Sequence, residues 1–171
     1  TKLPQINVRQ ENRPAIGCFK CKANVCDICK HYLSVGNKFK SASTKQTFLI
    51  KHHVDCNEKN IIYLISCTSC NIQYVGSSVN FKSRFREHKS DIKLKKVSKC
   101  ETARHWAIHH KDLSTLKVII IDNISADNPN HLEKLLHQRE IYWQHTLMTL
   151  EPHGLNNRDE LYVKRQFFPV Y

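Results

Sequence analysis

The chain has 171 residues, a length that favours one compact domain or one domain with a small appendage. It carries 27 Lys and Arg against 15 Asp and Glu, a formal net charge of +12, which indicates a polyanionic partner such as nucleic acid. No apolar run approaches the roughly 20 residues of a membrane span. Four glycines are too few for a collagen-like or low-complexity chain.

The N-terminal third is irregular, basic and rich in cysteine. Six of the eight cysteines in the chain form Cys-x-x-Cys pairs: Cys18 with Cys21, Cys26 with Cys29, and Cys67 with Cys70. Two thiolates at this spacing can bind one tetrahedral ion, so the repeated pairs favour zinc over disulfides. We predict a first zinc site formed by Cys18, Cys21, Cys26 and Cys29. The loop between the two pairs is short, so Cys56 or His31 is an alternative ligand.

The first predicted strand of the main domain covers 61–65, because this run is β-branched and aromatic. A loop follows that carries Cys67 and Cys70, and a second short strand, 73–76, ends at Gly76. A modest apolar patch at 47–50 predicts a short strand that connects the N-terminal region to this domain.

A helix is predicted from Asn80, because Phe81, Phe85, His88 and Ile92 recur at helical spacing. Basic side chains occupy its other faces and form the predicted DNA-binding surface: Lys82, Arg86, Lys89, Lys93, Lys95 and Lys96.

A second helix is predicted over 102–109, a third strand over 116–121, and a long helix from Asn128 that ends before Pro152. Residues four apart share a helix face, so His105 with His109, or with His110 if the helix ends early, can complete a second zinc site with Cys67 and Cys70. Solvated histidines on a basic helix are the alternative interpretation.

The predicted fold is a mixed α/β domain: a small three-stranded, largely antiparallel sheet flanked by helices, with an N-terminal zinc-stabilised arm. We divide the chain into a basic cysteine-rich arm (1–59), the main domain (60–157) and a basic C-terminal tail (158–171).

Six polar residues of the main domain form a set suited to phosphodiester cleavage: Tyr63, Tyr74, Arg84, His88, Glu140 and Asn156. Cleavage needs a base, a cation to hold the phosphate, and a carboxylate for a divalent metal. From residue types alone this set is weak, because each member is common on surfaces and in cores.

Order and spacing strengthen the set. The run 61–63, the run 74–76 ten residues later, Arg84-x3-His88, the segment around Glu140 and the tripeptide ending at Asn156 resemble the GIY-YIG nucleases over about residues 60–157. A Cys-x-x-Cys between the two tyrosine motifs is similar to the endonuclease domain of Penelope-like retroelements, which carry a Cys-Cys-His-His zinc motif there. One departure is Ile61, which replaces the first glycine of the family motif.

The resemblance implies a role for each residue of the set. Tyr63 is the general base, Tyr74 positions the water or the scissile phosphate, and Arg84 steadies the phosphate. His88 assists proton movement or contacts the phosphate. Two further roles follow: Glu140 binds one Mg²⁺ or Mn²⁺ ion, and Asn156 braces the site.

The sequence therefore predicts a nuclear, metal-dependent DNA endonuclease with two structural zinc ions. The resemblance to Penelope-like endonucleases implies that it nicks DNA to prime retroelement insertion, with a reverse transcriptase elsewhere in the same polyprotein or in another chain as its partner. The alternatives are a zinc-dependent nucleic-acid-binding module without catalysis, a branched-DNA repair nuclease, and a disulfide-stapled basic secreted protein.

Overall fold

The structure is a computed structural model that describes residues 15–98, 100–126 and 128–158. The first part of the predicted arm and nearly all of the predicted basic tail lie outside these residues. The strands are β1 (Gly17–Cys18), β2 (Lys38–Lys40), β3 (Thr47–Leu49), β4 (His53–Val54), β5 (Ile61–Cys67), β6 (Ile72–Ser78) and β7 (Leu116–Asn123). The helices are α1 (Phe81–Lys93), α2 (Glu101–His109) and α3 (Pro129–Thr146), and a π-helical turn covers Ile28–Tyr32.

The central sheet has the order β6-β5-β7, and both pairs of neighbours are antiparallel. β5 is buried along almost its whole length, as expected for an apolar strand with a neighbour on each side. Tyr63 on β5 packs against Phe81 of α1, whereas Ser77 on β6 bonds to Glu140 of α3. Because Tyr63 pairs with Gly76, the residue before Ser77, these contacts lie on opposite faces of the sheet. Helices therefore flank both faces, which confirms the predicted mixed α/β fold.

The N-terminal region packs on the main domain and contains more strand than the sequence indicated. β1 pairs with β4 in parallel, and β2 pairs with β3 as an antiparallel hairpin. The sequence predicted β3, as a connecting strand at 47–50, but not β1, β2 or β4. Phe39 and Phe48 of this hairpin stack on each other and meet the Trp143 ring of α3. One apolar cluster joins buried residues from both sides of the predicted boundary at residue 59.

Within the described ranges, no helix combines the length and apolar character needed to cross a bilayer.

Candidate active site and metal centres

The two tyrosines of the predicted site lie on neighbouring strands and converge on a glycine. Tyr63 of β5 pairs across the sheet with Gly76 of β6, and Tyr74 lies two residues earlier on the same face. A Cβ atom at position 76 would lie 2.5 Å from the Tyr63 hydroxyl and 2.9 Å from the Tyr74 ring. Only glycine therefore leaves room for the Tyr63 ring against β6 at this position.

Helix α1 places an imidazole between the two tyrosine rings. Asn80 caps the helix by accepting a hydrogen bond from the backbone N–H of Ser83, which fixes where the helix begins. Two turns later, the Nε2 atom of His88 lies 2.8 Å from the Tyr63 hydroxyl. The His88 ring is also edge-on to the Tyr74 ring, with the centroids 5.6 Å apart.

Arg84 lies one turn before His88 and completes this group. Its side chain is partly exposed, bonds to the Tyr63 hydroxyl, and donates to the Glu87 carboxylate at 2.9 Å. Burial raises the pKa of Tyr63 well above its usual range, although the positive charge of Arg84 opposes that rise. The phenol is therefore neutral at physiological pH and needs a neighbouring acceptor before it can take a proton from water.

Glu140 reaches the same edge strand from the opposite face of the sheet. It is only 2% exposed. One carboxylate oxygen accepts a hydrogen bond from the Ser77 hydroxyl at 2.7 Å, and the other accepts from the Gln144 amide at 3.3 Å. His137 Nδ1 lies 3.6 Å from the first oxygen. Ser77 directly follows Gly76, so the Glu140 carboxylate is hydrogen-bonded to the strand that carries Gly76 and Tyr74.

Asn156 is buried and contacts the backbone of the edge strand β6. Its amide accepts from the N–H of Val75 at 2.9 Å and donates to the carbonyl of the same residue at 2.8 Å. The Thr149 hydroxyl donates to the same amide oxygen at 2.7 Å. The side chain thus provides the backbone pairing that a further strand would provide, and it fixes β6 between Tyr74 and Gly76.

Four thiols in the N-terminal region form a compact group, here called the thiol cluster: Cys21, Cys26, Cys29 and Cys56. Their sulfur atoms approach to 3.4–3.7 Å, close to the roughly 3.8 Å between sulfurs of a tetrahedral zinc site. No pair among the eight cysteines forms a disulfide. The backbone N–H of Cys21 also donates to Cys29 Sγ, as is common around zinc-bound thiolates. The cluster could hold zinc.

Cys18 lies outside the thiol cluster, which differs from the predicted ligand set. It lies on β1, fully buried, where the backbone of Ile120 in β7 bonds to its sulfur. Burial raises the pKa of Cys18 to about 11, so it remains a neutral thiol. Cys56, which follows β4, takes its place because the pairing of β1 with β4 brings that residue to the loop. His31, the other alternative ligand, is not part of the cluster.

A second group, here called the mixed cluster, consists of Cys67, Cys70, His105 and His110. His110 Nε2 lies 3.2 Å from Cys67 Sγ and 3.3 Å from Cys70 Sγ. α2 ends at His109, so the next residue turns back toward the hairpin of β5 and β6. The structure thus brings His110 and not His109 into the group.

The burial and the neutral charge of His105 are the properties expected of a metal ligand. Its Nε2 atom is buried and has no hydrogen-bond partner among the described residues. Burial, followed by the neighbouring His110 and His109, lowers the pKa of His105 to about 4, so the ring is neutral. A neutral imidazole with an unused buried nitrogen beside two thiols is a donor set that zinc prefers. The mixed cluster could also hold zinc.

The predicted DNA-binding residues of α1 differ in how freely their side chains can reach a partner. Lys89 forms an ion pair with Asp27 and lies 4.8 Å from the centre of the Tyr32 ring, so it joins the N-terminal region to the helix. Lys96 pairs with Asp91 at 3.2 Å, and Lys82 donates to Asn57. The remaining three, Arg86, Lys93 and Lys95, are exposed.

Three residues of this region were not found from the sequence: Ser77, Gln144 and Thr102. Ser77 and Gln144 bond to Glu140, and Thr102 bonds to His88. Serine and threonine are too common for their type to indicate a site. The positions of Ser77, directly after the glycine, and Gln144, one turn after Glu140, were the available signals.

The buried tyrosine with its imidazole and the carboxylate at the edge strand place, on a small mixed α/β fold, groups of the kinds that phosphodiester cleavage needs. A family model described as the GIY-YIG catalytic domain matches residues 59–149. The match spans more than half of the chain, so the chain belongs to the GIY-YIG catalytic domain family and is a nuclease. Ile61, which replaces the first glycine of the motif, is fully buried in β5.

Two solved structures are similar to part of the chain. The catalytic domain of the intron endonuclease I-TevI, in a mutant form, is 26% identical with a TM-score of 0.47, covering 57% of this chain and 92% of that one. The catalytic domain of the homing endonuclease I-TevI is 24% identical with a TM-score of 0.45, covering 57% and 97%. No curated protein matches the chain.

Proposed function

We propose that this chain is a divalent-metal-dependent DNA endonuclease that nicks one strand at a time. The observation that carries the proposal is the arrangement around Gly76: the Tyr63 hydroxyl faces the His88 imidazole on one side of β6, and the Glu140 carboxylate is fixed to Ser77 on the other. These groups supply a proton acceptor and a metal ligand at the same strand edge.

The surroundings of Glu140 fit a hard divalent ion. A carboxylate oxygen is the donor that Mg²⁺ and Mn²⁺ prefer, and these ions often bind through one or two carboxylates and several waters. Two side-chain hydrogen bonds hold the Glu140 carboxylate in one orientation, one to each oxygen. Bound there, the ion would stabilise negative charge on the phosphate and the leaving oxygen.

In the proposed mechanism, Tyr63 and His88 move the proton. The attacking water gives a proton to the Tyr63 oxygen while the phenol passes its own proton to His88 Nε2, 2.8 Å away. The hydroxide attacks phosphorus, the bond from phosphorus to the 3′ oxygen breaks, and that oxygen takes a proton from solvent. Because Tyr63 is almost fully buried, the water approaches from the side of Tyr74 and Arg84, which are partly exposed.

Arg84 and Tyr74 hold the phosphate in this proposal. Arg84 interacts with both tyrosines and is partly exposed, so its guanidinium can reach a phosphate oxygen. The positive charge stabilises the transition state more than the ground state, because charge on the phosphate oxygens increases during attack. Asn156 has no proton to move and acts by holding β6.

The retroelement part of the proposal depends on the mixed cluster. A Cys-x-x-Cys between the two tyrosine motifs, joined by two histidines, is the pattern of the Penelope-like endonucleases that the sequence resembles. In that setting a nick supplies a 3′-OH for target-primed reverse transcription in the nucleus. The reverse transcriptase would be another part of the same polyprotein or a separate chain.

The decisive experiment is a nicking assay on supercoiled plasmid with Mg²⁺ or Mn²⁺, and with EDTA as the control. We expect metal-dependent conversion to open circles, loss of cleavage in Glu140→Gln by at least about 10³-fold, and unchanged or slightly tighter DNA binding. Glu133→Gln is the matched control, since this carboxylate lies two turns earlier on α3 and is 74% exposed. Binding without metal-dependent cleavage would instead support the non-catalytic module.

The chemistry of the nick tests the priming role separately. We expect a DNA polymerase to extend the nicked strand without prior phosphatase treatment, because the proposed bond cleavage leaves a 3′-OH. A 3′-phosphate end would block extension and would rule out direct priming while leaving the endonuclease activity intact.

A further inference from the structure

Helix α2 lies between the mixed cluster and the proposed proton acceptor. Near its start, Thr102 is fully buried, and its hydroxyl lies 3.1 Å from Nδ1 of His88. One turn later on the same helix, His105 belongs to the mixed cluster. No residue role derived above uses Thr102, although it contacts the imidazole nitrogen opposite the one that faces Tyr63.

The two nitrogens of a neutral imidazole differ, and the partner of one determines the role of the other. His88 Nε2 must carry a lone pair to accept the Tyr63 proton. That requires the ring proton to be on Nδ1, where the Thr102 oxygen can accept it. With the opposite tautomer, Nε2 would donate to the phenol oxygen and could accept nothing.

We propose that Thr102 is a positioning residue that holds His88 in the Nδ1–H tautomer, so that the unprotonated Nε2 accepts from Tyr63. The inference rests on the proposed function, because it assigns a part of the same proton path. In many enzymes a buried third group orients the imidazole that acts as the base, and here an uncharged hydroxyl would do so.

The mixed cluster holds Thr102 in place. α2 has nine residues and no side-chain cap at its start, so it is too short to be stable by itself. His105 within the helix and His110 just after it join α2 to Cys67 and Cys70 of the β5–β6 hairpin. The same hairpin carries Tyr63, so one group of ligands fixes Tyr63 and Thr102, which contact the two nitrogens of His88, relative to each other.

Thr102→Val and Thr102→Ser separate positioning from packing. Valine keeps the shape and removes the oxygen, whereas serine keeps the oxygen and removes a methyl group. We expect the valine variant to lose at least about tenfold in kcat, with KM for DNA changed by no more than about twofold, because a well-placed proton acceptor contributes roughly 10²–10⁴-fold. We expect the serine variant to recover most of the rate. Both should retain the zinc content of the parent chain.

The ¹⁵N shifts of the histidine side chains give a readout that does not depend on activity. In the parent chain the His88 signals, assigned by comparison with His88→Gln, should show a protonated Nδ1 and an unprotonated Nε2. Thr102→Ser should keep this pattern, and Thr102→Val should shift it toward the other tautomer.

Several outcomes overturn the inference. A protonated Nε2 in the parent chain does so even if the valine variant fails to fold. So does a valine variant with the parental kcat, or a serine variant as slow as the valine variant. A parent chain that cleaves no DNA would remove the proposed function, while the tautomer measurement would still decide whether Thr102 orients His88.

Discussion

The thiol cluster and the mixed cluster offer the same kind of site in two different settings. The thiol cluster takes its ligands from the loop after β1 and from the residues after β4, in a region with short strands and little apolar core of its own. The mixed cluster takes its ligands from the β5–β6 hairpin and the end of α2. Those elements also carry Tyr63, Tyr74 and Thr102.

Because the two clusters lie in different settings, we expect loss of zinc from each to affect a different property of the protein. An ion bound only by the folded chain stabilises whatever the ligands hold together. At the thiol cluster that is the packing of the N-terminal region, which reaches α1 through the ion pair of Asp27 with Lys89. At the mixed cluster it is the relative placement of the tyrosines, α2 and His88.

The strongest test of the contrast is Cys67→Ser. We expect it to lose one of two zinc ions, measured by atomic emission, and at least about 100-fold in kcat, since small displacements of proton-transfer groups carry such costs. DNA affinity should change little, because Cys67 is buried and cannot itself contact DNA. His105→Ala should reproduce the result from the other side of the cluster.

A result with one zinc ion in the parent chain, unaffected by Cys67→Ser or His105→Ala, would show that the mixed cluster binds no zinc. Activity that survives the loss of the second ion would show that the hairpin holds its geometry without metal.

Cys21→Ser should give the opposite pattern with a smaller effect. We expect it to lose the other zinc ion and about tenfold in DNA affinity, with most of kcat retained. Exposed lysines Lys20, Lys22 and Lys30 lie on or beside the loop that the thiol cluster fixes. Each lysine that no longer reaches a phosphate reduces the salt dependence of binding by about one unit of log–log slope. Fluorescence anisotropy on a labelled duplex over a salt series measures both affinity and slope. A decrease in kcat equal to that of Cys67→Ser would remove the distinction between the clusters.

The two clusters also show what the sequence could predict. The mixed cluster was predictable in outline, because Cys67 and Cys70 form a Cys-x-x-Cys pair and the helical spacing of α2 points to His105. The sequence left His109 and His110 open, since the choice depends on where α2 ends. The thiol cluster depends on a parallel pairing of two-residue strands, β1 with β4, and strands this short have almost no pattern to detect.

The active site, too, was predictable from the sequence only in part. Tyr63, Tyr74, Arg84, His88 and Glu140 belong to ordered motifs, and the structure brings the side chains together around one strand edge. The hydrogen bonds that orient them come from Ser77, Gln144 and Thr102, whose contribution depends on tertiary distances of about 3 Å and not on residue type. The strand β2 and its pairing with β3 were missed for a similar reason, because the burial of this hairpin depends on Trp143 of α3.

The smallest expected effect distinguishes the ligand set that the sequence predicted from the one that the structure shows. Cys18→Ala should keep both zinc ions, because Cys18 is buried against Ile120 and lies outside the thiol cluster, whereas Cys56→Ala should lose one. We expect Cys18→Ala to lower the free energy of unfolding by about 1 kcal/mol, because one buried sulfur no longer packs in the core. In the native parent chain, Cys18 should resist alkylation by iodoacetamide at pH 8, since burial blocks access and raises its pKa to about 11. If Cys18→Ala lost a zinc ion while Cys56→Ala kept both, the first pair of cysteines would coordinate the metal together, and the pairing of β1 with β4 would have to rearrange to let Cys18 reach it.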